Sequence, residues 1–220
     1  MYIAGIAAVT VSFAVTSERS VLSYLSSAAG LTCVIFNAKG NVWGQIFGIL
    51  FAVLYGVYAY TQKYYGEMLI YFFLMIPIHI FSIISWLKNK FGGNSLEVKV
   101  NSLKPAEYIL TGAGAAAVTV AFYFLLRYLG TDNLWVSTVS LTASVTAAYL
   151  MLRRCKFFSL CFIANDIILV VLWSMKIPQA GLTVLPSVLT FIIFLTYDSY
   201  SFYNWFKIQK RQNLNKALPD

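Results

Sequence analysis

Asn165 and Asp166 lie near the centre of an otherwise apolar run, FFSLCFIANDIILVVLWSM over residues 157–175. A carboxylate at the centre of a membrane span costs about 2.5–3.5 kcal/mol on insertion scales, so it is expected to face a polar cavity or a partner rather than lipid. Asp166, Leu169 and Trp173 follow i, i+3, i+7 spacing and share one helix face, with Asn165 at its border.

A carboxylate, a carboxamide and an indole on one face could together bind a small planar ligand. The ring would stack on the indole, the carboxamide would form hydrogen bonds, and the carboxylate or the aromatic face would stabilise a positive charge. The alternative is a structural role, in which neighbouring helices satisfy Asn165 and Asp166.

A second set of polar side chains follows in the run 182–206. Two neighbouring helix faces carry them: Tyr197, Tyr200 and Asn204 on one, and Asp198, Ser201 and Trp205 on the next. These residues could line a cavity. The alternative is that some of the tyrosines belong to the aromatic belt at the membrane interface.

The run 68–87 contains Pro77 in mid-span, with Tyr71 before it and His79 after it. Proline leaves a backbone carbonyl without its helical partner, which membrane helices tolerate where they kink or line a cavity. Gln45 lies beside a stripe of small residues, Gly44, Gly48, Ala52 and Gly56, that favours close helix packing within or between chains.

We therefore predict a substrate-binding site that draws on ten residues: Gln45, Tyr71, His79, Asn165, Asp166, Trp173, Tyr197, Asp198, Tyr200 and Asn204. A packing role for the single histidine, His79, is the alternative at that position.

The composition predicts that these residues are positioned by membrane-spanning helices. Of 220 residues, 60% are hydrophobic and 11% are charged, whereas soluble domains carry about a quarter charged residues. Seventeen Phe, fifteen Tyr and five Trp give an aromatic content typical of membrane interfaces and cavities. The fold class is therefore an all-α integral membrane protein. The formal net charge of +8 comes from basic residues in short loops, so it indicates membrane topology and not a nucleic-acid partner.

Apolar runs of about 20 residues predict seven or eight transmembrane helices in one domain over 1–220. The eight candidate spans are 2–16, 21–36, 42–60, 68–87, 108–129, 134–152, 157–174 and 182–206. The first two are short, and the one long connection is the polar loop 88–107. With eight spans, twelve Lys and Arg fall on one side and four on the other. This bias predicts that both termini and the 88–107 loop are cytoplasmic.

The chain also shows signs of an internal repeat. Trp86 and Trp205 both end a span just before a lysine and lie 119 residues apart, while Lys39 and Arg154 lie 115 residues apart. This spacing predicts two parallel three-helix repeats, 20–88 and 134–207, joined by a linking helix over 108–129, plus an extra N-terminal helix. The alternative is that Trp–Lys helix ends resemble one another because both residues favour the interface.

Sequence signals for catalysis and cofactors are missing. The chain contains no Gly-rich phosphate loop, nucleophile elbow or metal-ligand spacing, and it has one histidine. We therefore predict that the protein is not an enzyme and uses no cofactor or metal.

Several motifs resemble the PnuC family of bacterial nicotinamide riboside transporters over residues 20–207. They are YYGEM (Tyr64 to Met68), SWLKN (Ser85 to Asn89), AND followed by LW (Ala164 to Asp166, Leu172 and Trp173), and the Tyr-Asp and Asn-Trp pairs of the last span. The resemblance implies a three-plus-one-plus-three bundle similar to SWEET sugar transporters. It also implies facilitated uptake of nicotinamide riboside across the bacterial inner membrane for NAD biosynthesis, followed by trapping by a cytosolic kinase.

Members of this family often have Asn, Gln and Gly-Trp in span four, where this chain has Tyr71, His79 and Ser82. The cargo therefore stays open among nicotinamide riboside, thiamine and a deoxynucleoside. A mononucleotide suits the chain poorly, because its phosphate would require a buried Arg or Lys and none lies deep in any predicted span. A receptor that binds a ligand without transporting it is the alternative from another functional class, and a homo-oligomer is compatible with either function.

Overall fold

A computed structural model of the chain describes residues 2–15, 20–92 and 96–217. Residue 16 at the end of the first predicted span, Arg19, and Gly93 in the long loop lie outside these ranges. Within them the chain forms eight helices of fourteen residues or more and isolated backbone bridges in place of strands. The helices are α1 (Tyr2–Val15), α2 (Val21–Ala38), α3 (Trp43–Thr61), α4 (Tyr65–Lys88), α5 (Pro105–Tyr128), α6 (Leu134–Leu152), α7 (Phe158–Ser174) and α8 (Leu185–Ala217).

Six helical stretches of the described chain are long and apolar enough to cross a membrane. Five of them are α2 to α6, and the sixth, Phe158–Asn215, is 58 residues long and contains both α7 and α8. The apolar part of α1, Ile3–Ala14, is shorter than a full span. The prediction of an all-α, multi-pass membrane fold is therefore confirmed, with six or seven helices of spanning length.

Helix α4 changes its winding in the middle. Residues Tyr71–Met75 form a π-helical turn between the α-helical segments Tyr65–Ile70 and Ile76–Lys88. Pro77 lies two residues after this turn and, because it has no backbone N–H, cannot donate a hydrogen bond to it. Such wide turns are often found at functional sites, and this one places Tyr71 and Met75 in the interior of the bundle, where both are buried.

The bundle packs around α2, α3, α7 and α8, while α5 lies at its edge against α6. Only 6% of the residues in the most apolar stretch of α5 are buried. Large side chains such as Ile109 and Leu110 point away from the bundle. A helix that is apolar all round and exposed in this way is suited to contact lipid.

The 88–107 loop contacts the turns that follow α2 and α6. The amide of Val98 donates to the carbonyl of Gly40 at 2.9 Å, and the amide of Asn101 donates to the carbonyl of Arg154 at 3.0 Å. Both carbonyls belong to residues with positive φ, +64° for Gly40 and +57° for Arg154. One short segment of the loop is therefore bonded to both turns.

Trp86 and Trp205 are buried at the same end of the bundle, and the indole of each forms a hydrogen bond with another helix. The indole of Trp86 on α4 donates to the carbonyl of Met151 on α6 at 3.1 Å. The indole of Trp205 on α8 donates to the carbonyl of Asn37 on α2 at 2.9 Å. Each tryptophan therefore satisfies a backbone carbonyl in the last turn of another helix, α6 for Trp86 and α2 for Trp205.

We expect Trp86→Phe and Trp205→Phe to lower stability by similar amounts. Each replacement keeps a ring but removes the indole donor, which costs about 0.5–1.5 kcal/mol per hydrogen bond. The measurement is thermal unfolding of the purified protein in one detergent. Trp135→Phe is the matched control, because Trp135 is 69% exposed and we expect no loss there. A loss confined to one of the two buried sites would contradict an equivalent role.

Candidate functional site

A cavity lies inside the bundle between α2, α3, α4, α7 and α8. Its volume is about 60 Å³. Its polar lining residues are Cys33, Asn37, Tyr71, His79, Asn165, Asp166 and Asp198. Its remaining walls are apolar and mostly aromatic: Gly30, Val34, Phe51, Met75, Phe158, Phe162, Leu169, Phe191 and Phe194. A largely apolar pocket with a few convergent polar groups is the usual composition of a small-molecule site.

Two carboxyl groups meet at one wall of this cavity. Asp166 on α7 and Asp198 on α8 are in hydrogen-bond contact, and they are 3% and 5% exposed. The Oδ2 atom of Asp166 is buried without a hydrogen-bond partner among the described residues. No lysine or arginine is among the residues that line the cavity in the described chain. The described lining therefore provides acceptor groups and carboxyl groups but no lysine or arginine.

Asn165 is held by α6 and reaches towards the start of α4. The hydroxyl of Ser140 on α6 lies 3.0 Å from Asn165 Oδ1 and 3.2 Å from Glu67 Oε1. Glu67 is 1% exposed, and its other carboxyl oxygen, Oε2, is buried without a partner among the described residues. A third buried acid, Glu67, is therefore linked to the cavity wall through one serine.

His79 is positioned by an amide chain from α3 to α2. Gln45 Nε2 donates to Asn37 Oδ1 at 2.8 Å, and Gln45 Oε1 therefore faces His79 Nδ1, also at 2.8 Å. Because an amide oxygen only accepts, Nδ1 carries the proton in this arrangement. Gly48 on α3 makes room for the ring, since a Cβ atom there would overlap with it. Gln45 thus orients His79 without lining the cavity itself.

Five of the ten predicted site residues line the cavity: Tyr71, His79, Asn165, Asp166 and Asp198. Gln45 contacts the site through His79. The structure does not bring Trp173, Tyr197, Tyr200 or Asn204 into the lining.

Trp173 lies in a separate aromatic cluster further along α7. It is fully buried and stacks on Tyr58 with ring centroids 5.4 Å apart. Tyr64 packs edge-on against Trp173, with ring centroids 5.1 Å apart, and the Trp173 indole donates to the Tyr55 hydroxyl at 3.1 Å. The Tyr55 ring in turn lies 4.6 Å from the ring of Tyr71 in the cavity wall. Trp173 therefore lies beyond the end of the cavity and does not line it.

The other three residues lie on α8 outside the cavity lining. Tyr197 packs against Gly5 of α1, and Tyr200 is 37% exposed. Asn204 donates to the carbonyl of Ala38 at 2.8 Å, at the end of α2. Of the two faces predicted for this helix, the one that carries Asp198 and Trp205 points into the bundle.

Some lining residues had no signal in the sequence. Cys33 on α2 lies within an ordinary apolar run, and Phe51, Phe191 and Phe194 resemble any other membrane-helix aromatics. The one available signal was Asn37, a carboxamide one helical turn from Cys33 within the sequence CVIFN.

Comparisons with known proteins extend over nearly the whole chain. A family model described as nicotinamide mononucleotide transporter matches residues 20–207. A relative from Neisseria mucosa named nicotinamide riboside transporter PnuC is 28% identical over 202 residues, 90% of this chain and 77% of the relative. A relative of the same name from Haemophilus influenzae is 26% identical over 205 residues, 90% of this chain and 85% of the relative.

A solved structure gives the same result at the level of the fold. The crystal structure of the vitamin B3 transporter PnuC superimposes with a TM-score of 0.84 at 26% identity, over 96% of this chain and 91% of that one. The family resemblance seen in the motifs is thereby confirmed. The chain belongs to the PnuC family of membrane transporters.

Proposed function

We propose that this protein carries nicotinamide riboside across the membrane by facilitated diffusion, with the cavity between α2, α3, α4, α7 and α8 as the binding site. One observation carries the proposal: a buried pair of carboxyl groups lies in an aromatic cavity whose lining includes no lysine or arginine. The pyridinium ring of the riboside is a planar cation, which aromatic faces and carboxylates both attract. The two named relatives are described as transporters of this compound.

The same lining favours the riboside over the mononucleotide in the family description. A phosphate group entering this cavity would meet Asp166 and Asp198 instead of the Arg or Lys that phosphate sites use. The phosphate and the carboxyl pair would then both carry negative charge and repel each other.

The cavity must widen to hold a riboside. Its volume of about 60 Å³ is well below the roughly 300–1,000 Å³ of typical ligand pockets. Phenylalanine rings form much of the wall and can change rotamer, so we assign this conformation to a closed state of the carrier.

We further propose eight spans, arranged as two three-helix repeats over 20–88 and 134–207, with α5 as the linking helix and α1 outside the repeats. The turns after α2 and α6 support this arrangement. Asn41 donates to the carbonyl of Phe36 at 3.0 Å, and Cys155 donates to the carbonyl of Leu150 at 2.9 Å, an offset of 114 residues in both partners. The crossed indole bonds of Trp86 and Trp205 also pair residues in equivalent places.

With an even number of spans, the excess of basic loop residues supports cytoplasmic termini in the bacterial inner membrane. A cytosolic kinase that phosphorylates the riboside would then keep it inside. Thiamine is the second candidate cargo, because its thiazolium ring is also a planar cation that the carboxyl pair suits.

The test is uptake into liposomes that contain the purified protein. We expect labelled nicotinamide riboside to reach equal concentrations on both sides without ATP or an imposed ion gradient, while nicotinamide mononucleotide stays outside. Protein-free liposomes are the control, and a parallel binding titration with thiamine and deoxynucleosides identifies the preferred cargo. Binding without flux would instead indicate a receptor, and uptake that requires ATP or an imposed gradient would contradict facilitated diffusion.

A further inference from the structure

Asp166 and Asp198 come from different helices and meet at one wall of the cavity. They are in hydrogen-bond contact, and both are at least nine-tenths buried. A hydrogen bond between two carboxyl groups requires a hydrogen atom between their oxygens. The contact is therefore the arrangement that a pair sharing one proton would adopt.

The surroundings explain why two carboxyl groups in contact here would favour a shared proton. Two ionised carboxylates in contact inside an apolar wall repel each other and lose their hydration, and one shared proton removes both costs. Oδ2 of Asp166 has no hydrogen-bond partner among the described residues even so. It is a buried acceptor in the cavity lining that an incoming group could reach.

The titratable side chains around the pair supply no permanent positive charge. Cys33 faces it from α2, and Tyr71 and His79 face it from α4. His79 is bonded to Gln45 of α3, and Glu67 of α4 lies behind Asn165 through Ser140. No titratable side chain of α1 or α6 is among the described lining residues.

We propose that a cationic cargo displaces the proton shared by Asp166 and Asp198, so that each cation that binds releases one proton to water. This inference rests on the proposed function and specifies its ligand class as a monovalent organic cation. No bond other than the O–H bond breaks: the carboxyl oxygen keeps the electron pair, and water or buffer takes the proton. The exchange leaves the net charge of the cavity unchanged.

The exchange makes affinity depend on pH in a defined direction. When one proton leaves for each cation that binds, the dissociation constant falls up to about tenfold for each unit of rising pH. Reduced nicotinamide riboside, in which the ring is a neutral dihydropyridine, has nearly the same shape and displaces no proton. Its affinity should therefore not change with pH.

The experiment is isothermal titration calorimetry on the full chain in detergent. We expect the binding enthalpy of nicotinamide riboside at pH 7 to differ between MOPS and Tris buffers. The difference should equal the difference between the ionisation enthalpies of the two buffers multiplied by the number of protons released per riboside, which is at most one. We also expect its affinity to rise from pH 6 to pH 8, while the enthalpy and affinity of the reduced riboside stay constant.

Two variants separate the pair from general effects of charge. In Asp198→Asn the amide can donate to Asp166, so we expect the cation to bind without proton release and without pH dependence. Asp132→Asn removes an exposed carboxylate outside the cavity and should behave as the wild type. Size-exclusion profiles establish that each variant is folded.

The wild-type measurement decides the inference even where a variant fails to fold. Binding of the riboside with an enthalpy independent of buffer and an affinity independent of pH would overturn the proton exchange and leave the proposed function standing. Proton release that persists in Asp198→Asn would also overturn it. Absence of binding by both ribosides would overturn the proposed function and this inference together.

Discussion

Asp166→Asn is expected to weaken the binding of nicotinamide riboside by about ten- to a hundredfold, or about 1.5–3 kcal/mol, the range for a hydrogen bond to a charged group. Oδ2 of Asp166 is the lining atom that is buried without a partner among the described residues, so we expect it to meet the cation. Asparagine has nearly the same volume, and a buried amide costs less than an unpaired buried carboxylate. The fold should therefore be retained.

The measurement is a binding titration with the cationic riboside and with its neutral reduced form. We expect a selective loss, with the affinity for the neutral form nearly unchanged. Asp132→Asn is the control, because it makes the same chemical change outside the cavity. Loss of expression in Asp166→Asn, or an equal loss for both ligands, would instead indicate that Asp166 has the structural role considered from the sequence.

Gly44→Leu is expected to destabilise the protein by about 3 kcal/mol or more, at the upper end of the cost of overpacking. A Cβ atom at Gly44 would lie 2.7 Å from the backbone nitrogen of Asn37, so α3 could no longer approach α2. Asn37 also accepts hydrogen bonds from Gln45 and from the Trp205 indole. Displacement of α2 would therefore disturb the support of His79 and the end of α8 together.

Thermal unfolding in detergent, with the yield of monodisperse protein, measures this effect. Gly112→Leu is the matched control, since a Cβ atom at Gly112 meets nothing within 4 Å and the residue is exposed. It makes the same change on a lipid-facing helix, where higher helix propensity stabilises by about 0.5–1 kcal/mol. Equal stability of the two variants would contradict close packing at Gly44.

The sequence was most informative where a residue violates the apolar character of its helix. Asn165 and Asp166 had to face a polar interior because burial against lipid costs too much, and both line the cavity. The stripe of Gly44 and Gly48 likewise lies at the contact of α3 with Asn37 and His79. Such signals depend on one helix at a time, so periodicity is sufficient to detect them.

Depth along the helix was not predictable in the same way. Trp173 shares the face of Asp166, but seven residues correspond to about 10 Å along the axis. The cavity ends within that distance, where tyrosines from α3 and α4 meet the indole. The face follows from the spacing within α7, whereas the end of the cavity depends on side chains from other helices.

The rotation of α8 was also beyond the sequence. Tyr197 and Asp198 begin two neighbouring polar faces, and a tyrosine suits an interface, a cavity or a packed core equally well. Packing against α2 and α7 turns Asp198 inwards and leaves Tyr200 exposed. Cys33 joined the cavity for the same reason, since α2 alone gives no indication of which face meets α8.

The double attachment of the 88–107 loop limits how far the turns after α2 and α6 can separate. Val98 is bonded to Gly40 and Asn101 to Arg154, so three residue-to-residue steps of chain join the two attachment points. Three extended residues reach at most about 10–11 Å. While both bonds persist, the segment acts as a tether of fixed length. Any larger separation of helices must then occur at the far end of the bundle, where tyrosines and Trp173 hold the helices together by side-chain contacts instead of a length of backbone.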